Sequence, residues 1–353
     1  MIGGFLLAAV AQAGNFESGR FEVTVEQLTD DVYVMRRVPS WRYWVQANVT
    51  VIVNESDVVV VDGGYPKHVE NVIAEIKKIT DKPVGVVLIT HWHQDHNFGI
   101  HLYRRHYPDV RFISHENTRS ALARRNEDAI PRVTGEGYHD RLVGILEERI
   151  EKGKAEGDPS EVISFYEDYL AGADEIAADL KGARNNLSDE TFSRRLVLHR
   201  PGRRIEILHL GHANTEGDAM LWLPDEKILT AGDVVVHPTP YGFGSYPQQW
   251  AATLRKMNAL GYDMLVPGHG QVQRDTTYVS LLIDVLTSVA AQVDAAVAAG
   301  ASSLEAVRKK VDLQQFDSRF TGGDPLLLHL FEVWFKSPIV QAAYEHAREN
   351  RSD

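Results

Sequence analysis

In the stretch THWHQDHNFG, residues 90–99, three histidines and an aspartate fall within six positions, directly after the apolar run PVGVVLI. Alternate side chains of an extended segment share one face, so His91 and His93 point the same way and can share a metal ion. Asp95 and His96 lie where the chain turns into a helix, and they can face a second point a few ångströms from the first. Paired metals about 3.5–4 Å apart are a recurring hydrolytic device. Imidazole and carboxylate suit borderline Zn²⁺, and a chain with no cysteine has no thiolate to offer. The ligands that complete such a site are expected at other strand ends. His212 follows IEILHLG, Asp233 follows KILTAG, and His269 follows MLVP. Each is a donor beside glycine, on a loop where backbone must come close to something.

The elements that would position these residues read as α/β. FEVTVEQL and DVYVMRRV have strand periodicity, and ANVTVIVN with SDVVVVDGG predicts a hairpin turning at Asn54–Ser56. A helix over 67–78 precedes the buried strand 84–90 that delivers the histidines. A short helix over 97–106, the strand VRFISH and a helix over 116–125 follow. Residues 116–192 then contain no convincing strand. YHDRLVGILEERI and SEVISFYEDYLAGADEIAADL carry helical stripes separated by a turn in EKGKAEGDP, which predicts an acidic helical hairpin inserted into the frame. Such an insertion serves as scaffold, as a homodimer contact or as a lid. Strands return in RLVLHR, RRIEILHLG, DAMLWLP and KILTAGD, followed by a helix over 247–260 and the strand DMLVPGHG. Residues 275–350 read as a helical segment, with Asp324 and Pro325 as the cap and first position of its last helix. Strands followed by helices in both halves predict two face-to-face sheets with helices outside, a four-layered αββα sandwich over residues 20–353.

Composition narrows the partners. A formal charge of −12 disfavours nucleic acid, whose phosphates want a basic face. The apolar run Phe5–Val10 followed by Ala11-Gln12-Ala13 predicts a cleaved signal peptide over 1–13 and a periplasmic or secreted protein, although the leader lacks Lys and Arg. Without cleavage the protein is cytoplasmic. No other segment reads as apolar for long enough to span a bilayer. Around the histidines, the loop GDVVVHPTPYGFGSYPQQW offers His237, Tyr241 and Phe243 as substrate contacts, with Tyr246 beside them. VPSWRYWVQAN offers Trp41 and Trp44 as an apolar flap.

Asp62 in VVVVDGG, then His91-x-His93-x-Asp95-His96, His212, Asp233 and His269 occur in the order that resembles the metallo-β-lactamase-fold superfamily, over roughly residues 20–115 and 195–270. The resemblance implies one zinc on His91, His93 and His212 and a second on Asp95, His96 and His269. Asp233 would bridge them, and Asp62 would buttress a ligand. It implies a hydrolase whose nucleophile is a hydroxide held between two metals, with Asp95 orienting it and moving its proton. Iron or manganese could stand where zinc does. The aspartate at 233, where the best-known β-lactamases carry cysteine, puts efficient β-lactam hydrolysis in doubt. The expected substrate is a small molecule with a cyclic amide or ester bond. A phosphodiester, thioester or alkyl sulfate is the alternative. Persulfide oxidation at a single iron, or a non-catalytic binding role, is the reading from another class.

Overall fold

The computed structural model describes residues 21–37 and 44–349; the predicted leader and Trp41 lie outside them. Twelve strands form two sheets among the described residues. The first holds β1 (Thr24–Gln27), β2 (Val32–Arg36), β3 (Val49–Val53), β4 (Val58–Val61), β5 (Val84–Ile89), β6 (Arg111–His115) and β7 (Glu190–Phe192), in that order across the sheet. The second runs β12 (Met264–His269), β11 (Ile228–Val236), β10 (Met220–Leu223), β9 (Arg203–Leu208) and β8 (Arg195–Arg200). β1 to β4 are antiparallel, while β4 to β7 run parallel, as do β11 and β12.

Strand β4 shows why both faces are covered. Val59 and Val61 pack with Ile205, Ile207, Leu221 and Val266 of the opposite sheet, whereas Val58 and Val60 pack with Val69, Val72 and Ile76 of helix α1 (Pro66–Ile79). A strand with two apolar partners has no polar side, so it reads as an unbroken valine run. The outer face of the second sheet is closed by α8 (Pro247–Asn258), α9 (Thr277–Ala298) and α13 (Ser337–Glu349) around Trp250, Leu282, Val289 and Phe335. The fold is the expected αββα sandwich.

Between β5 and β6 lie α2 (Gln94–Asn97) and α3 (His101–His106), two short helices where the sequence predicts one. The insertion departs further from its reading. It holds four helices: α4 (Glu116–Thr134), α5 (Tyr138–Glu156), α6 (Ser160–Ala171) and α7 (Ala173–Leu180). EKGKAEGDP is no turn along most of its length, because helix continues to Glu156 and breaks only at Gly157, whose φ is 77°. The second stripe divides at Gly172 into α6 and α7. Residues 190–192, read as part of the strandless stretch, form β7, which parallel pairing of its three residues with Ile113, Ser114 and His115 of β6 holds in place of any periodicity of its own. The C-terminal region adds α10 (Leu304–Arg308), α11 (Asp317–Thr321) and α12 (Pro325–Leu330), and Asp324 caps α12 by accepting from the Leu327 amide at 2.9 Å. Helix α9, with 22 residues, is long and apolar enough to cross a membrane by composition, contrary to the sequence reading. Its stripe from Val279 to Val297 is instead buried against the second sheet and α13.

Candidate metal centre

The C-terminal ends of β4, β5, β11 and β12 meet at one edge of the sandwich and bring Asp62, the 90–96 turn, Asp233 and His269 together. The parallel register of β11 and β12 is irregular around Gly232, and the irregularity turns Asp233 toward the other sheet. Gly232 has φ 53° and lies so near Thr90 that a Cβ would come within 2.8 Å of it. At Gly268 a Cβ would overlap the Asp233 carboxylate. Both glycines are therefore conditions for Asp233 to stand where it does.

Hydrogen bonds then fix the protons of three imidazoles. Asp62, itself held at φ 65° in a sparsely populated region, accepts from the Thr90 amide at 2.8 Å and the Thr90 hydroxyl at 2.7 Å. The Thr90 hydroxyl has spent its only proton, so its contact with His91 Nδ1 at 2.9 Å requires that nitrogen to donate. His96 Nδ1 donates to Asp62 at 2.7 Å, and His269 Nδ1 donates to the Gln46 carbonyl at 2.9 Å. In their neutral forms all three rings thus carry a lone pair on Nε2, and all three Nε2 atoms face Asp233.

Asp233 receives them on two sides. Its Oδ2 lies 3.4 Å from His91 Nε2 and 3.5 Å from His93 Nδ1, and its Oδ1 lies 3.1 Å from His96 Nε2 and 3.4 Å from His269 Nε2. Asp95 Oδ2 approaches His269 Nε2 at 3.1 Å, and the Nε2 atoms of His96 and His269 are 3.1 Å apart. Acceptors crowded so closely repel unless cations lie among them. His91 Nε2 and Asp233 Oδ1 are buried and take no hydrogen bond. Protons show the same demand. Burial opposes charge on His96, yet the Asp233, Asp62 and Asp95 carboxylates raise its pKa well above the usual imidazole value. Burial would likewise keep Asp233 neutral, but His96, His269 and His91 hold it well below the usual carboxylate range. A divalent cation would satisfy these groups without extra protons, and the donor set is one that Zn²⁺ accepts. The residues fit a metal.

Among the described residues, two groupings close enough to hold an ion emerge: His91, His96 and Asp233, and Asp95, His96 and His269. The structure therefore brings together six of the seven expected ligands, counting His93 by its contact with Asp233. His212 shows no such contact with Asp233 among the described residues. That ring packs on Tyr246 at 4.6 Å between centroids and belongs to neither grouping.

Over the cluster opens a cavity of about 590 Å³, with His93, Asp95, Asp233 and His269 at its floor. Of the expected contacts, His237, Tyr241, Phe243 and Trp44 line it, whereas Tyr246 does not. Trp44 stacks on Tyr65 at 4.7 Å, and Tyr241 sets its ring 5.3 Å from that of His93. Burial, with Asp95 and Asp233 nearby, pushes the Tyr241 phenol up, so it keeps its proton. The insertion, offered in the sequence as a lid, contributes part of the remaining wall, although the sequence singled out none of its residues. Arg125 of α4 and Tyr169 of α6 come from the insertion, and Trp334 comes from a π-helical turn over Phe331–Lys336. The Trp334 carbonyl accepts from Gly242 at 2.8 Å, which ties that turn to the 237–246 loop. The Arg125 guanidinium stacks 4.0 Å from the Trp92 ring, and it has no carboxylate partner among the described residues.

An αββα sandwich with a histidine and carboxylate cluster at its strand ends defines a metal-binding hydrolase. The chain belongs to the metallo-β-lactamase superfamily, whose pattern, described as "Metallo-beta-lactamase superfamily", matches residues 42–269. A linear primary-alkylsulfatase from a Pseudomonas species is 26% identical over 234 residues, which are 62% of this chain and 40% of that protein. The chain thus spans well under half of that relative's length. Among solved structures, a metallo-β-lactamase from Pontibacter korlensis aligns with TM-score 0.53 at 17% identity, covering 75% of this chain and 99% of that one. The DIM-1 metallo-β-lactamase aligns with TM-score 0.52 at 16% identity, covering 76% and 98%. At these identities the two structures speak for the fold alone.

Proposed function

We propose that the protein is a zinc-dependent hydrolase acting on an ester-type bond in an anionic small molecule with an apolar body, a sulfate ester before others. The observation that carries this is Arg125, a cation with no carboxylate partner among the described residues, in a largely aromatic wall above the metal-ligand floor. Arg recognises sulfate and carboxylate oxygens through paired N–H donors, and aromatic faces accept an alkyl or aryl chain. The alkylsulfatase relative supports the same order of substrates. The cyclic amide or ester expected from the resemblance moves to second place, because the relative matched in sequence is an alkylsulfatase and the aromatic wall suits an alkyl chain.

Metal ions held by His91, His93, Asp95, His96, Asp233 and His269 would supply Lewis acidity and a nucleophilic water at neutral pH. The chain's own groups do the rest. Asp95, with its side chain 18% exposed at the cavity floor, orients the attacking water and takes its proton. Tyr241 donates from Oη to the oxygen on which charge develops. Trp44, Tyr65 and Trp334 exclude bulk water from the reacting bond.

The test is turnover of the zinc-loaded protein on medium- and long-chain alkyl sulfates beside β-lactams, lactones, thioesters and phosphodiesters. Sulfate release is expected to dominate, and Arg125→Ala should raise KM for alkyl sulfates about tenfold or more, as loss of a charged hydrogen-bond partner does. Efficient opening of uncharged lactones without sulfate release, unaffected by Arg125→Ala, would overturn the reading.

A further inference from the structure

The two sides of Asp233 are not equivalent. On the Oδ1 side, Asp95, His96 and His269 supply a carboxylate and two imidazoles with fixed tautomers. On the Oδ2 side His91 and His93 arrive, whereas His212 belongs to neither grouping of ligand atoms among the described residues. Its ring lies on Tyr246, which packs in turn on His346 at 4.9 Å, and its carbonyl accepts from Thr253 at 2.9 Å.

Two residues on, the chain supplies something else. Asn214 is wholly buried, and its Nδ2 donates at 2.7 Å to the carbonyl of Tyr241, whose ring stands beside His93. Its Oδ1 has no hydrogen-bond partner. The turn that carries it is anchored by Asp218, which accepts from the Thr215 amide and hydroxyl at 2.7 and 2.8 Å and lies near enough to His93 for their charges to interact. Both Asp218 oxygens are thereby engaged, while the Asn214 oxygen is not. A buried carbonyl without a partner is costly, and a cation beside it removes the cost. A neutral amide oxygen is nevertheless a poorer ligand than imidazole for a borderline metal.

We propose that the two metal positions are unequal: the one at Asp95, His96 and His269 binds tightly, and the one at His91 and His93 is completed by Asn214 rather than His212 and binds weakly. This concerns metal stoichiometry and stands whichever ester is hydrolysed.

The experiment is a Zn²⁺ titration of the chelator-stripped full chain in competition with a chromophoric chelator, repeated with Co²⁺ to read ligand-field absorption. One tight equivalent is expected, with a second about 100-fold weaker. His269→Ala should abolish the tight equivalent, and His212→Ala should leave both affinities and the cobalt spectrum unchanged. Asn214→Ala should weaken the second equivalent further, with Asn214→Asp strengthening it about tenfold, and circular dichroism melts confirm that each variant is folded. Two equivalents of equal affinity in the unaltered chain, or loss of the second on His212→Ala, would overturn the proposal.

Discussion

One carboxylate, Asp62, sets the protons of two imidazoles, taking His96 directly and His91 through the Thr90 hydroxyl. Asp62→Ala should therefore lower metal affinity about 10- to 100-fold without removing any ligand, as loss of an orienting partner does; equal affinities in the chelator competition would refute this role. Asp233→Ala should cut turnover by about two orders of magnitude or more, since it removes the group between the two halves of the cluster. Near-normal activity at saturating metal would show that Asp233 is dispensable. At this scale the dense H-x-H-x-D-H spacing was legible, because close spacing on an extended segment dictates a shared face. The packing of His212 on Tyr246 was not, because a glycine-flanked histidine reads the same whichever neighbour it meets. Gln46 escaped because its part in holding His269 is played by a main-chain carbonyl, which any residue type possesses. Arg125 lies 29 positions or more from every ligand in sequence except through the fold, so only the tertiary structure could place it.

The insertion is the element whose reading changed most. Its roots are stitched to the metal-bearing turn: Asn97 and Asn186 exchange side-chain to main-chain bonds at 3.0 and 2.7 Å, and the Arg184 amide donates to Phe98 at 3.1 Å. Helix α7 buries Ile176 and Leu180 beside Tyr65 and Phe98. Helix α6 instead reaches across to the C-terminal region, where Phe165 packs on Leu326 and Leu330. Replacing residues 138–171 with a Gly/Ser linker should thus keep the metals and the stitched roots but remove Tyr169 from the wall. The expected result is unchanged zinc content with a clear shift in KM or substrate preference; unchanged selectivity would make α5 and α6 scaffold only. Phe165→Ala should cost about 3–5 kcal/mol, read by denaturant melts, if that contact anchors α6. The helical stripes were legible here, but the break at Gly172 and strand β7 were not. A stripe records that a face is covered without recording by what, and β7 owes its conformation to its neighbour β6.

Across the whole molecule, the αββα order followed from strand runs in both halves, each with helices behind it. What the sequence hid was convergence: α9 looks like a membrane span in isolation and like a core helix once α8 and α13 are against it. The same burial shapes the pH response. Burial lowers His68, His209 and His237 to about 4, so each stays neutral in the folded chain while the unfolded chain takes up a proton near 6.5. The unfolded state then binds more protons between those values, and stability is full above about 6.5 and lost as pH falls toward 4. The melting temperature should drop over that window, and less steeply in His209→Gln; a flat profile from pH 7 to 4 would contradict the buried neutral assignment. The separation of floor and wall has a practical consequence for protein engineering. The floor stands on four strand ends that carry the candidate metal ligands and their supports, whereas Trp44, Arg125, Tyr169, Phe243 and Trp334 belong to five different loops and helices. A combinatorial library at those five codons would search new selectivities while every member inherits the same chemistry.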